Sequence, residues 1–330
     1  MKLKDYMLYW YQTYRMPKQQ NTTQQTCLSL IRNHICNSDL GEQELEEVKT
    51  ADIQKFLTEQ LMHGCRIKLK NYSKEGQSLS THSIVKLRQL LIAMYRQAVK
   101  EDIVVKNAAE DTERLPLPWK ESPVFTPEAQ RKFLAATKTR RFYAAYVLLF
   151  FLGLRRSELL ALTWDAIDLR KNTIRIKRAL VMEGKNIVLR NRTKTRASVR
   201  ILPIPQEIKF ILQEHKQRQK KEAQMFGNGY RNEFGLLFTS KDGSPYNPNY
   251  FSRNFKNLIK RMPFLSNDLH LHSTRHTWAT NMLQCGITIS DTQALGGWSR
   301  PDTLLTVYAH SVKESQRKAM KKLWREMGSK

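Results

Sequence analysis

The feature that most constrains the fold is a group of four prolines in the segment ERLPLPWKESPVFTPE, Glu113–Glu128. Proline lacks a backbone N–H and its ring clashes with the preceding helical turn, so this segment cannot continue a single helix. The whole chain of 330 residues is long enough for a hydrophobic core on each side of such a break. We therefore predict a helical domain over 1–115, a linker over 116–125 and a second domain over 126–330.

The first domain is predicted to be a small helical bundle. In THSIVKLRQLLIAMYRQAVKEDIV, Ser80 is suited to cap a helix, and apolar residues follow it at helical spacing. Three further segments are also compatible with helices: DYMLYWYQTYR, NTTQQTCLSLIRNHI and TADIQKFLTEQLM. This pattern alone fits a generic helical bundle without a role in DNA binding. The positions at helical spacing are Ile84, Leu87, Leu91, Tyr95 and Ala98.

The second domain is predicted to be mainly helical with a small antiparallel sheet. Thr126 and Pro127 are typical of a helix start. The apolar run AAYVLLFFLGL is too short to span a bilayer, which needs about 20 residues, so it is expected to be a buried helix. Three strands are predicted over TIRIKRALV, NIVLRNRT and SVRILPIP, with Gly184 in the first turn and TKTRAS in the second.

The charge of the chain favours a polyanionic partner. The formal net charge is +26, and between Arg170 and Arg200 eleven Lys and Arg residues stand against one acid, Glu183. Such an excess on a β-hairpin is suited to a nucleic-acid backbone, although a solvated basic surface, or binding to ribosomes or membrane surfaces, has the same composition. Four cysteines without a CxxC pair, and an N-terminus that is charged throughout, indicate a cytoplasmic protein without a signal peptide.

A set of residues suited to phosphate chemistry occurs in four separated segments. Arg155 follows the apolar run and a glycine, so it is expected to stand on a rigid support, and Glu158 can pair with an arginine there. Each feature has an ordinary structural reading as well; an arginine in this position can simply neutralise a helix end. His272 and Arg275 in HSTRHTW are spaced to face one way on a helix and could bind a phosphate and move a proton.

The remaining members of this set are a lysine, a tryptophan and a tyrosine. Lys194 lies at a predicted hairpin tip, where Lys185, Arg192 and Arg196 are rivals for the same role. Trp298 offers an indole N–H and a bulky ring. Tyr308 supplies an oxygen nucleophile that nearby arginines would make easier to deprotonate. Together these side chains could transfer a phosphoryl group without a metal ion, because arginines can take the electrostatic role of magnesium.

These segments resemble the tyrosine recombinases, the integrases of phages and conjugative transposons and the Xer-type enzymes. The resemblance rests on LGLRRSELLALTWDAIDL, TKTRASVRILPIP, HSTRHTWATNMLQCG and LGGWSRPDTLLTVYAH, which come in the family's order and spacing. It covers roughly 125–310, and the N-terminal part fits the family's core-binding domain by position and pattern only. Trp298 resembles the subset of the family that has tryptophan where others have histidine.

The resemblance implies a two-domain DNA clamp and a site-specific recombinase that integrates or excises a mobile element. It implies that Arg155 and Arg275 hold the scissile phosphate and that Tyr308 attacks it, forming a 3′-phosphotyrosyl bond. Lys194 would protonate the leaving 5′ oxygen, His272 would assist proton transfer and Trp298 would support the phosphate. Neither metal nor cofactor is expected. The expected partners are double-stranded DNA, a homo-tetramer on paired DNA sites and accessory DNA-bending or excision factors, in a cytoplasmic, nucleoid-associated enzyme.

The sequence departs from the family pattern in two places and leaves other functions open. Ser273 stands where the family usually has an acid, and Thr274 where it usually has leucine; serine can cap a helix equally well, whereas Thr274 leaves the local packing in doubt. The alternatives are a metal-dependent HUH-type nicking nuclease using HLH at 270–272, a type IB topoisomerase-like enzyme, and a non-catalytic DNA-binding protein. Finally, an apolar stripe over 311–330 predicts a terminal helix that docks on its own domain or on a neighbouring subunit; this stripe comprises Val312, Ala319, Met320, Leu323, Trp324 and Met327.

Overall fold

A computed structural model gives the fold as two compact units, Met1–Trp119 and Lys120–Lys330. The boundary between the units falls in the proline-rich segment, where the sequence predicts the linker. Each unit has its own hydrophobic core. The structure describes residues 1–66, 68–69, 72–73, 75–116, 122–184, 186–191, 199–302, 304, 320–321, 324–325 and 327–328.

The first unit is helical, as predicted. Ser80 caps its longest helix by accepting a hydrogen bond from the Ser83 backbone N–H at 3.2 Å, and all five apolar positions predicted for that helix are buried. The α-helices are α1 (Leu3–Trp10), α2 (Asn21–Leu30), α3 (Asp39–Glu42), α4 (Thr50–His63) and α5 (Thr81–Lys100), with π-helical turns at Tyr11–Arg15 and Ile31–Cys36 and a 3-10 turn at Met16–Lys18.

Two features of this unit go beyond the sequence-based prediction. A short antiparallel pair, β1 (Lys68–Leu69) with β2 (Tyr72–Ser73), connects α4 to α5. Strands of two residues are too short to show an alternating pattern, so periodicity could not have revealed them. The N-terminal aromatic segment supplies much of the core, because Tyr6, Trp10 and Tyr11 are almost completely buried.

The second unit is also mainly helical. Thr126 caps α6 by accepting from the Ala129 N–H at 3.1 Å, and Pro127 is its first residue, as predicted. The apolar run forms α7, which is buried along nearly its whole length, and this confirms the predicted core helix. The helices are α6 (Pro127–Thr137), α7 (Tyr143–Leu152), α8 (Arg156–Leu160), α9 (Gln206–Phe226), α10 (Pro248–Lys260), α11 (Leu271–Gln284) and α12 (Ile289–Gly296).

The sheet region is divided differently from the prediction. TIRIKRALV forms two strands, β4 (Thr173–Ile176) and β5 (Ala179–Glu183), instead of one. The chain breaks at Lys177 and Arg178, whose side chains both form ion pairs with Asp165. The other strands are β3 (Ile167–Asp168), β6 (Asn186–Arg190) and β7 (Arg200–Pro203), all antiparallel, in the orders β3-β4-β7 and β5-β6.

The turn between β5 and β6 lies where the sequence predicts it. Gly184 adopts a φ of +61°, a left-handed conformation that favours glycine. The second predicted turn, TKTRAS, falls outside the described residues. Within the part of the chain that the structure describes, no helix is both long and apolar enough to cross a membrane.

Candidate active site

Arg155 stands at the junction of α7 and α8. Gly153 ends α7 with a φ of +59°, and Arg155 then precedes the first residue of α8. Its guanidinium donates through Nη1 to Oε1 of Glu158 at 2.6 Å and through Nη2 to the carbonyl oxygen of Gly297 at 2.7 Å. About a third of the side chain (33%) stays accessible to solvent. The predicted rigid support is therefore present, and part of the Arg155 side chain remains accessible.

Arg275 lies in α11 and is 1% exposed. It donates to the carbonyl oxygens of Gly153, at 2.5 Å, and Gly296, at 2.7 Å, and its guanidinium lies 3.7 Å from the centre of the Trp298 ring. Burial, with the charge of Arg155 as a smaller cause, lowers the pKa of Arg275. The ordinary pKa of a guanidinium is so high that the group keeps its charge at neutral pH.

Glu158 joins Arg155 to a further arginine, Arg200. The Glu158 side chain is buried, and Arg200 donates to its Oε2 at 3.0 Å and to its Oε1 at 3.3 Å. Burial by itself would raise the pKa of Glu158, but the charges of Arg200 and Arg155 outweigh burial and the pKa is lowered. Glu158 is therefore a carboxylate shared by two arginines.

Sequence reasoning counted Arg200 only as one of eleven basic residues, and so missed its place in the site. A signal was available: in β7, Arg200 alternates with Ile201, which is exposed, and faces the same side as Leu202, which is buried. A cation on the core side of a strand requires an anionic or carbonyl partner, because burying an unpaired charge is costly.

The C-terminal end of α12 holds all three arginines through consecutive carbonyl groups. Leu295 accepts from Nε of Arg200 at 2.6 Å, Gly296 from Arg275 and Gly297 from Arg155. The last carbonyls of a helix lack partners within the helix and carry partial negative charge, so guanidinium groups are favourable there. Gly297 has a φ of +69°, which favours glycine at this helix end.

Two tryptophans pack behind the arginines. The rings of Trp278 and Trp298 stack with 5.9 Å between their centres and 17° between their planes. A Cβ atom on Gly153 would come within 2.3 Å of the Trp278 ring, and one on Gly296 within 1.8 Å of the Trp298 ring. Both glycines are therefore required by close packing, and Trp298 lies against Arg275.

His272 and His276 occupy successive turns of α11. Their rings meet edge to face with 4.6 Å between centres. His272 is an exposed residue, yet partial loss of hydration, followed by the proximity of His276, Arg275, His270 and Arg155, lowers its pKa to about 4. It is therefore neutral at pH 7 and able to accept a proton. His276 is buried, its pKa is also lowered to about 4, first by burial, and its Nδ1 has no hydrogen-bond partner among the described residues.

The two departures from the family pattern are accommodated at the start of α11. The hydroxyl of Ser273 accepts a hydrogen bond from the His270 backbone N–H at 3.1 Å. Serine therefore caps the start of α11, as an acidic side chain could. Thr274 is fully buried, and its hydroxyl donates to the Leu271 carbonyl at 2.8 Å, which leaves no unsatisfied polar group there.

The structure thus brings Arg155, Arg275 and Trp298 together, with His272 close enough to be affected by both arginines. Lys194 and Tyr308 lie outside the described residues, as do the rivals Lys185, Arg192 and Arg196. Among the described residues no group of three or more His, Cys, Asp or Glu side chains could hold a metal ion. His272 lies in a helix, whereas the nicking-nuclease alternative requires its histidine pair on a strand.

Comparison with known sequences identifies the family. The model of the phage integrase family matches residues 123–315, more than half of the chain. The chain belongs to the phage integrase family. A second model, for the N-terminal SAM-like domain of phage integrases, matches residues 2–61. The chain is accordingly a tyrosine recombinase, an enzyme that cuts and rejoins DNA, and the nicking-nuclease and topoisomerase-like alternatives are not favoured.

Similar proteins include a tyrosine recombinase XerC-like protein of Caldanaerobacter subterraneus subsp. tengcongensis, 27% identical over 88% of this chain and 75% of the relative. The transposase of transposon Tn916 from Enterococcus faecalis is 24% identical over 97% of this chain and 77% of the relative. Because the two matches cover 88% and 97% of this chain, each extends over parts of both units.

Solved structures share the fold. The integrase of transposon Tn1549, in complex with transposon right-end DNA, has a TM-score of 0.79 at 22% identity, covering 98% of this chain and 99% of that one. A lambda integrase tetramer bound to a Holliday junction has a TM-score of 0.65 at 17% identity, covering 91% and 78%. This likeness confirms the predicted fold class, a mainly helical two-domain protein with small antiparallel sheets.

Proposed function

We propose that this recombinase cuts duplex DNA at specific sites through a 3′-phosphotyrosyl intermediate and so integrates or excises a mobile element. The observation that supports this proposal most directly is the charge of the site. Arg155 and Arg200 pair with the carboxylate of Glu158, and the buried Arg275 is held nearby by backbone carbonyls, which leaves an excess of positive charge in a partly buried setting. Such an excess favours an anion, and a phosphodiester supplies one negative charge with two acceptor oxygens.

The proposed reaction uses the residues that the family resemblance implies. Arg155 and Arg275 bind the non-bridging oxygens of the scissile phosphate, and Trp298 supports Arg275. The hydroxyl oxygen of Tyr308 forms a bond to phosphorus while the bond to the 5′ oxygen breaks. The tyrosine proton passes to neutral His272, and Lys194 gives a proton to the leaving 5′ oxygen. Rejoining reverses these steps with a 5′-hydroxyl as the attacking group, so neither ATP nor metal is consumed.

Binding is proposed to involve both domains, over 1–115 and 126–330, joined by the linker over 116–125 and closing round the duplex as a clamp. The net charge of +26 and the eleven Lys and Arg residues between Arg170 and Arg200 support contact with the phosphate backbone. The enzyme is proposed to be cytoplasmic and nucleoid-associated when DNA-bound, with accessory DNA-bending or excision factors acting on the same DNA.

Recombination is proposed to take place in a homo-tetramer on paired sites, with the segment 311–330 docking on a neighbouring subunit. Met320, Trp324 and Met327 are exposed, with 66%, 73% and 82% of their surfaces accessible, which leaves their apolar groups available to a partner. Deleting 312–330 should weaken the pairing of two sites far more than binding to one site. Native gel shifts with one-site and two-site DNA measure both; full pairing by the truncated chain contradicts the proposal.

The chemical assignment is tested by Tyr308→Phe on a nicked duplex that carries a mapped cleavage site. The variant should lose covalent attachment, because only the attacking hydroxyl is removed, and it should bind the duplex like the wild type. Tyr250→Phe is the matched control, since Tyr250 is an exposed tyrosine of the same unit at 47% accessibility. Covalent adducts that persist in Tyr308→Phe disprove the assignment of the nucleophile. Adduct formation that requires an added divalent ion, and stops in excess EDTA, disproves the metal-free reaction.

A further inference from the structure

Arg200 has no role in the reaction described above, although it is more deeply buried than Arg155. Only 7% of its side chain is accessible, against 33% for Arg155. Its Nη1 and Nη2 donate to Glu158, and its Nε donates to the Leu295 carbonyl. Arg200 therefore forms a bidentate pair with α8 and a single hydrogen bond with α12. Arg200 therefore links β7, α8 and the end of α12 at a single guanidinium.

The groups that bind Arg200 lie next to, or are the same as, groups that bind Arg155 and Arg275, the arginines proposed to hold the phosphate. The carboxylate of Glu158 is the same group that binds Nη1 of Arg155. The carbonyl of Leu295 immediately precedes those of Gly296 and Gly297, which bind Arg275 and Arg155. A shift of Glu158 therefore displaces a group that orients Arg155, whereas a shift of the α12 end displaces the carbonyls that orient both Arg155 and Arg275.

The position of Arg200 is itself fixed by the sheet. It opens β7 and pairs with Ile176 of β4 in an antiparallel ladder. A planar guanidinium on a strand so anchored has little freedom, and its fork matches the two carboxylate oxygens of Glu158. Lysine at this position would keep the charge but would lose the fork and could not reach Glu158 and Leu295 together.

We propose that Arg200 is a positioning residue for DNA cleavage, which holds Glu158 and the C-terminal end of α12 so that Arg155 and Arg275 face the scissile phosphate. This inference rests on the proposed function. It does not place Arg200 in contact with DNA. Without Arg200, the carboxylate of Glu158 is left to Arg155 alone and can draw that guanidinium away from the phosphate, while the turn around Gly296 and Gly297 loses an anchor.

The test compares two substrates that differ in one oxygen. In a methylphosphonate, a methyl group replaces one non-bridging oxygen of the scissile phosphate, which removes the negative charge that the arginines neutralise. Single-turnover adduct formation is measured on both substrates, after DNA binding is saturated, for wild type, Arg155→Ala, Arg200→Met and Arg200→Lys. Arg155→Ala is the reference: it shows how much smaller the rate defect from losing a phosphate-binding arginine becomes on the neutral substrate.

If Arg200 acts through these arginines, Arg200→Met should slow adduct formation about 10-fold or more on the phosphodiester, and the defect should shrink severalfold on the methylphosphonate, as for Arg155→Ala. Arg200→Lys should show a smaller defect of the same kind, and it keeps the test valid if Arg200→Met folds poorly. Combined with Arg155→Ala, either Arg200 variant should add little, because both changes act on one arrangement.

The matched control is Arg141→Met. Arg141 is likewise a partly buried arginine that forms a two-pronged pair with a glutamate, Glu222, and donates to a carbonyl, that of Thr239, in the same unit. Its loss should lower stability without distinguishing the two substrates. A defect of Arg200→Met and Arg200→Lys that is equal on both substrates, or no defect in either, overturns the inference. Failure of the wild type to form an adduct on the phosphodiester instead overturns the proposed function.

Discussion

Arg141 and Arg155 both pair with a glutamate in the second unit, but their surroundings differ. Around Arg141 every side-chain nitrogen donates: both Nη atoms bind Glu222, Nε donates to the Tyr246 hydroxyl at 2.6 Å, and Nη2 also donates to the Thr239 carbonyl. Arg218 completes this group by donating to the Arg141 carbonyl and to His215. We refer to these residues as the Arg141 cluster: Arg141, His215, Arg218, Glu222 and Tyr246.

The Arg155 cluster, consisting of Arg155, Glu158, Arg200 and Arg275, contains one more guanidinium for the same single carboxylate. Backbone carbonyls of Gly153 and of the α12 end take the place of further carboxylates. A carbonyl can orient a guanidinium without cancelling its charge, whereas a carboxylate does both. The two clusters differ in the ratio of carboxylates to arginines. The lower ratio in the Arg155 cluster favours binding of an anion, whereas the Arg141 cluster is suited to a structural role.

The largest expected effect is that of Arg275→Met on chemistry. Under the proposed mechanism this change removes a charge that stabilises the transition state, and it should lower the rate of adduct formation by on the order of 10²–10³-fold. DNA affinity should change much less, because the chain carries 56 Lys and Arg residues and Arg275 is only one of them. Quench-flow measurement of adduct formation, together with a binding titration, separates the two; an unchanged rate at saturating DNA removes Arg275 from the site.

Arg141→Met should act on stability alone. Leaving Glu222 buried without its partner is expected to cost about 3 kcal/mol, the lower end of the range for breaking a buried ion pair, since this pair keeps 24% and 15% of its side-chain surfaces accessible. Urea denaturation measures the loss. The cleavage rate per folded molecule should stay at the wild-type value, and a rate defect as large as that of Arg275→Met would erase the distinction between the clusters.

Gly153→Ala should disturb the Arg155 cluster without removing a charge, because it should displace the Gly153 carbonyl that binds Arg275. The left-handed backbone costs a non-glycine residue about 1–2 kcal/mol, and the new Cβ would also collide with Trp278. Gly184→Ala is the control, because Gly184 has nearly the same φ but no described atom within 4 Å of the added Cβ. We expect Gly153→Ala to be the more destabilising in thermal melts and to slow cleavage; equal effects would mean that packing at Gly153 does not matter.

The smallest expected effect is the pH dependence of stability that His215 of the Arg141 cluster contributes. Burial lowers the pKa of His215 to about 4, below its ordinary value in the unfolded chain. The unfolded state therefore binds more protons between about pH 6.5 and 4, so stability present at neutral pH is lost as the pH falls through that window. From pH 7 to 5.5 the loss from this group is on the order of 1 kcal/mol. Urea titrations should show a shallower decline for His215→Asn, and an identical pH dependence contradicts the prediction.

The sequence predicted well those features that one segment specifies. The cap at Ser80, the buried helix α7 and the turn at Gly184 each follow from a local pattern of polarity or backbone freedom. In the site, Arg155 and Arg275 were found by the same route, with the help of the family resemblance. Their catalytic roles, like those of Lys194, Trp298 and Tyr308, stay predictions until the variants are measured.

What the sequence could not give are relations between distant segments. The division of TIRIKRALV into two strands reflects different partners, because β4 pairs with β3 and β7 whereas β5 pairs with β6. The proposed role of Arg200 rests on its contacts with Glu158 and Leu295, which are remote from it in sequence. Neither set of contacts can be predicted from hydrophobic periodicity, because periodicity indicates which face of an element is buried but not which residues that face contacts.

The consecutive carbonyls at the end of α12 also bear on when the enzyme becomes able to act during its own synthesis. Gly297 lies 142 residues after Arg155, and Arg275 lies 122 residues after the Gly153 carbonyl that it binds. Contacts of such long range form late, since most of the domain must be ordered before these ends meet. A nascent chain that stops before Leu295 contains all three arginines but lacks the segment that orients them. Such a chain can attract DNA by its charge, yet it has no assembled site with which to break a strand.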